Sequence, residues 1–200
     1  MIALWQPLPR QITFRRKKYK LQLAFDNVLA ALALLEDRDV LDSNKVSWAL
    51  RLLAPRGCRL PIKDQQELLH QILQQCIFFS TRKSRGGHSK AFDWLFDADL
   101  IFASFLQAYG IDLREERGRM HWWKFYSLLQ GLPNGTKLRE VMEIRQRELP
   151  KPNGHNQKEI QQLLELKQYY AIPGAADMDD YQTGLQKLWN TLERQAKQDV

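Results

Sequence analysis

With 200 residues, a net charge of +7 and 44% hydrophobic residues, the chain can bury one substantial core and is too apolar for a disordered polymer. Its basicity is local: RRKKYK (15–20) and RKSRGGHSK (82–90) hold five and four basic residues and no acid, which excludes a uniformly basic body. The longest uninterrupted apolar run, Val28 to Leu35, falls far short of the roughly 20 residues that span a bilayer, and Pro7, Pro9 and Arg10 interrupt any leader pattern. No membrane contact is expected. Cys58 and Cys76, far apart in sequence, read as reduced thiols, so the expected compartment is cytoplasmic.

In chain order, Ile12 and Phe14 alternate with polar neighbours, as do Tyr19, Leu21 and Leu23, which predicts a β-hairpin within 10–24 with the basic run between its arms. From Asp26 the Ala- and Leu-rich NVLAALALLED predicts a helix capped by Asp26 or Asn27. Ser43 or Asn44 is expected to cap a short second helix, KVSWALRLLA, that Pro55 and Gly57 end. Pro61 to Asp64 opens a longer one, in which Leu68, Leu69, Ile72, Leu73, Cys76 and Ile77 make an apolar stripe extending toward Phe79. The basic stretch Arg82 to Lys90, with Gly86-Gly87 inside it, has no periodicity and reads as an exposed loop. Asp97 then caps ADLIFASFLQAY, which Gly110 terminates.

His121 to Arg145 carries the strongest pattern in the chain. Trp122, Trp123, Phe125, Tyr126, Leu128 and Leu129 cover most of a helix, leaving Lys124, Ser127 and Gln130 as a polar stripe. Gly131 in a left-handed conformation, Pro133, Asn134-Gly135 and a capping Thr136 are expected to turn the chain into an αα-hairpin. In its second helix Leu138, Val141, Met142 and Leu149 form a seam, and Arg145 falls on that seam. A buried guanidinium needs a partner, and Asp112 or Asp99 is the acid expected to supply it. After the PKPNG break, NQKEIQQLLELKQYY resumes helical spacing. A loop at IPGAADMDDYQTG precedes a last amphipathic helix through Leu185, Leu188, Trp189 and Leu192. That helix is expected to pack on a second copy or a partner rather than on the core.

Chemistry-bearing patterns are sparse. His70, His88, His121 and His155 form no HxxxH or HExxH pair, and Asp177, Asp179 and Asp180 lack the glycine and terminal glutamate of a calcium loop. Asp97 and Asp99 suit a helix start on dipole grounds alone. No phosphate-binding glycine loop or nucleophile elbow occurs, so the expectation is a non-enzymatic protein with no catalytic, cofactor or metal residues. The basic patch formed by Arg15, Arg16, Lys17, Lys18, Arg82, Lys83, Arg85 and Lys90 supports one alternative, nucleic-acid binding through loops 15–20 and 82–90. Trp122, Trp123 and Phe125 sit at core spacing rather than on a stacking platform.

At FDWLFDADLIFASFLQAYGIDL and HWWKFYSLLQGLPNGTKLREVMEIR the chain resembles the bacteriophage gene-product-fifteen family, small tail-region proteins of long-tailed phages and prophages. Asp97-Ala98-Asp99, Tyr109 to Leu113, His121 to Phe125, Ile144-Arg145 and LKQYYAI (166–172) carry the likeness, which spans most of residues 1–172. The 82–90 insertion and the helix from Leu185 fall outside it. The resemblance implies a gene placed between those of the major tail protein and the tape-measure protein, the position of tail assembly chaperones. It supplies no catalytic residues. The combined expectation is a single, mainly α, multi-helix domain over 1–172 with an N-terminal β-hairpin, followed by a linker and C-terminal helix over 173–200. It would act in the bacterial host's cytoplasm, binding the tape-measure protein, with the tail tube protein and a second copy of itself as further partners.

Overall fold

The computed structural model describes residues 5–37, 39–78, 91–153 and 155–173. The expected loop Arg82 to Lys90 and the helix of Leu185, Leu188, Trp189 and Leu192 lie outside them. The described part is mainly α-helical, with one antiparallel hairpin, β1 (Gln11–Phe14) and β2 (Lys17–Lys20). Seven α-helices follow: α1 (Phe25–Glu36), α2 (Asp42–Leu53), α3 (Ile62–Ile72), α4 (Ala98–Tyr109), α5 (Trp122–Gln130), α6 (Lys137–Gln146) and α7 (Gln157–Tyr169). Among the described residues no helix is long and apolar enough to cross a membrane. The chain forms two compact units, one joining the described residues up to 78 with Arg114–Leu128, the other joining 91–113 with 129–173.

In the first unit the hairpin buries Ile12, Phe14 and Tyr19 on one face, with Ile12 opposite Tyr19. The basic run does not form a loop: Arg15 and Arg16 are the whole turn, and Lys17 to Lys20 are strand β2. The type I′ form of a two-residue hairpin turn matches strand twist with positive φ at both positions, and Arg15 and Arg16 adopt φ of 45° and 65°. Side chains with a Cβ are strained there by roughly 1–2 kcal/mol each. From this turn Arg15 reaches α3, where it meets Asp64 at 2.7 Å and Glu67 at 3.1 Å.

The helical part of this unit buries Val28, Leu32, Val46, Leu50, Leu53, Leu68 and Ile72 almost completely. Neither N-cap position falls on an expected residue. Helix α1 begins one residue before Asp26, and Asp26 instead accepts the backbone N–H of Gly118 at 3.0 Å. Helix α2 starts at Asp42, ahead of Ser43 and Asn44, with Leu41 at its N-cap. The stripe through Leu73, Cys76 and Ile77 stays buried, but there the chain leaves α geometry for a π-helical segment, Leu73–Ile77.

That segment is where α5 docks. The indole N–H of Trp122 donates to the Ile77 carbonyl at 3.0 Å, and that of Trp123 to the Cys76 carbonyl at 2.5 Å. The end of a helix leaves carbonyls without intrahelical donors, and two consecutive tryptophans supply them. Trp122 and Phe125 are buried, and Phe25 stacks on Phe125 at 4.8 Å, while Lys124, Ser127 and Gln130 form the expected exposed stripe.

The start of α5 is fixed by backbone bonds, Phe25 N–H to Met120 O at 2.9 Å and Trp122 N–H to Leu23 O at 2.7 Å. His121 completes the joint: its Nε2 lies 3.0 Å from the Pro9 carbonyl, and its Nδ1 is 3.1 Å from the Trp123 backbone N–H. A carbonyl can only accept and an N–H can only donate, so the network assigns the neutral tautomer with hydrogen on Nε2. Burial lowers the imidazole's pKa from its usual value, and Arg10 lowers it further, outweighing the bond to Pro9. Protonation would also set a cation at a helix N-terminus. With its folded pKa below the unfolded one, His121 contributes stability that is complete above the unfolded value, near 6.5, and lost as pH falls through the folded value. Urea midpoints measured from pH 7.5 to 5 should therefore fall more steeply for the parent than for His121→Gln; parallel curves would contradict this role.

Candidate functional site

In the second unit the geometry converges on Arg145. Helix α4 runs to Gly110, whose φ of 64° is the left-handed C-cap expected from sequence. Helix α6 packs against α4 and α7 and buries Leu138, Val141 and Arg145. Leu149 is not on that seam, because α6 ends at Gln146 and Leu149 is 46% exposed.

Arg145 does have an acidic partner, and it is Asp97 rather than Asp99 or Asp112. Nη1 and Nη2 meet the two Asp97 oxygens at 2.6 and 2.8 Å, a fork-to-fork pair with the carboxylate wholly buried. The remaining bonds tie in two further segments: Nε donates to Tyr170 O at 2.7 Å, and Nη1 to Ala91 O at 3.2 Å. Lys167 closes the circuit by donating to the Arg145 carbonyl at 2.7 Å. Asp97 was expected to cap α4, and it occupies that position without a side-chain capping bond. Its carboxylate turns back to Arg145 and to the Asp93 N–H at 2.8 Å, while Asp93 accepts from Leu95 and Phe96, each at 2.8 Å. Asp99, in the first turn of the helix, is exposed, and Asp112 follows the Gly110 cap.

Three other side chains make polar contacts that were not foreseen. Ser104 on α4, buried, accepts the Leu138 N–H at 3.1 Å and so caps α6 from a neighbouring helix. Thr136, at the N-cap position, donates instead to Pro133 O at 3.0 Å. Gly131 does not take the left-handed conformation, which Gly135 adopts at φ 88°. The carbonyls at the end of α5 are met by Arg139, which donates to Leu132 O at 3.1 Å and Gln130 O at 3.2 Å.

Chemically this arrangement holds elements together; it does not present a reactive group. Arg145 has turned four bonds inward onto its own chain. A cleft of about 410 Å³ along α6, which Arg145 does not line, has as its charged residues Arg139, Glu140, Glu143 and Arg147, whose charges favour neither cations nor anions. In the first unit, burial raises the Cys76 thiol to about 11, which keeps it protonated and unreactive at neutral pH. Among the predicted site residues, Trp122, Trp123 and Phe125 are brought together on α5, and Arg15, Arg16, Lys17 and Lys18 on the hairpin. Arg82, Lys83, Arg85 and Lys90 lie outside the described residues.

Removing one partner of a buried ion pair strands the other, at about 3–5 kcal/mol. Arg145→Ala and Asp97→Asn should each lower the urea midpoint severely, and Arg147→Ala, at the exposed end of α6, should leave it within experimental scatter. An Arg145→Ala protein as stable as the parent would contradict the clamp.

Searches among curated proteins and among solved structures give no match. A family model described as Bacteriophage Gp15 protein matches residues 4–172. That span covers both helical units, the tryptophan pair and the Asp97–Arg145 clamp, and the chain belongs to the Bacteriophage Gp15 protein family.

Proposed function

We propose that this phage protein is a non-enzymatic tail assembly factor, a chaperone that holds helical segments of the tape-measure protein in the host cytoplasm before tail tube protein assembles around them. The gene position that the family resemblance implies suggests the partner. One observation carries the physical side: the second unit leaves large apolar side chains in water. Leu95 is 81% and Tyr169 78% exposed, with Phe96, Leu106, Leu164 and Leu166 also exposed. Exposed apolar side chains suit the reversible cover of an amphipathic helix, which lays its apolar face on such a surface.

Co-expression of the full chain with the tape-measure protein of the same phage should keep that partner soluble and return the two together on affinity capture. Leu166→Ser with Tyr169→Ser should weaken retention about tenfold or more while leaving the urea midpoint unchanged, as for anchors at an interface. A tape-measure protein that still precipitates when co-expressed, or that binds the variant as well as the parent, would refute the reading.

A further inference from the structure

The hairpin lies outside the assembly role just argued, and among the described residues Arg15 alone of its cations has an acidic partner. Residues 5–25 hold six cations, Arg10, Arg15, Arg16, Lys17, Lys18 and Lys20, and no carboxylate. Alternation sends Ile12, Phe14 and Tyr19 into the core and leaves Gln11, Thr13, Lys18 and Lys20 on the outer face, paired as Gln11 with Lys20 and Thr13 with Lys18. Arg15 is occupied by Asp64 and Glu67. Among the described residues, no acid forms an ion pair with Arg16, Lys17, Lys18 or Lys20.

The turn sharpens the point. Stability alone would place Asn-Gly where Arg15 and Arg16 hold φ of 45° and 65°. Arg15 has its contacts with α3, whereas Arg16 keeps a strained backbone and gains no ion pair among the described residues. Strain that the fold does not use points to a use outside the fold.

We propose that the tip and outer face of the β1–β2 hairpin bind the phosphate backbone of a nucleic acid, with Arg16, Lys17, Lys18 and Lys20 as the contacting cations. An acidic protein surface offers similar charge, but protein interfaces centre on aromatic or apolar anchors and are poor in lysine. The outer face here has no apolar residue. A two-stranded ribbon also fits the major groove of a duplex, about 12 Å wide, where Gln11 and Thr13 would face base edges between the lysines.

Fluorescence anisotropy of a labelled 20-base-pair duplex with the full-length protein tests this at 50 to 200 mM salt. The expected result is binding whose log–log salt slope falls by about 1 for each cation removed, through Lys18→Glu, Lys20→Glu or Arg16→Gly. Lys158→Glu, on exposed α7, makes the same charge change as Lys18→Glu and should leave the slope unaltered. Arg16→Gly relieves the turn, so it should raise the urea midpoint while weakening binding, a combination that a purely structural arginine would not give. Absence of binding at 50 mM salt would overturn the proposal. Equal losses for Lys158→Glu and Lys18→Glu would overturn it in favour of net charge, and competition by poly-glutamate as strong as by DNA would overturn it in favour of an acidic protein. None of these outcomes bears on capture of the tape-measure protein.

Discussion

A guanidinium withdrawn from water needs a counter-charge and a donor-by-donor match, and that requirement organises the second unit. Arg145 satisfies it with both oxygens of Asp97 and with carbonyls at residues 91 and 170. Those partners belong to the segment before α4 and to the end of α7, so one side chain fixes the chain path on both sides of α6. A hydrophobic residue of similar volume could fill the space. It could not specify which carbonyls approach it, and so directionality is what the charged solution adds.

The first unit solves a related problem with neutral groups. A π-helical segment ends α3, and the carbonyls of Cys76 and Ile77 receive donors from adjacent indoles on α5. Each ring fills apolar space with its body and completes a backbone bond with its edge. His121 caps the same helix in the one tautomer that fits both neighbours, so the entry to α5 is fixed by imidazole, backbone and indole together.

Periodicity and breakers were good guides wherever the cause was local. The stripe along α3, the all-round apolar α5 with its three polar positions, the Gly110 stop and the buried rank of Arg145 follow from spacing, because burial imposes that spacing. What spacing could not supply was partner identity. Ser104 caps α6 from α4, and Arg139 serves the end of α5, replacing the local Thr136 and Gly131 devices that the sequence suggested. Asp97 looked like a helix cap, and its true partner lies 48 residues away. The basic run reads as a loop between the arms, with neither Gly nor Asn to mark a turn inside it, and the left-handed arginines show that strand pairing overrode that turn preference.

The order of the segments within the first unit has a consequence for synthesis. Its helices α1 to α3 leave the ribosome well before Trp122 and Trp123, and the Ile77 carbonyl precedes its indole donor on Trp122 by 45 residues. Contacts of that sequence separation are slow to close and leave apolar surface uncovered meanwhile. Until the segment with Trp122 and Trp123 is made, the Cys76 and Ile77 carbonyls have no indole donors. Completion of that unit waits on a segment interrupted by residues of the other one.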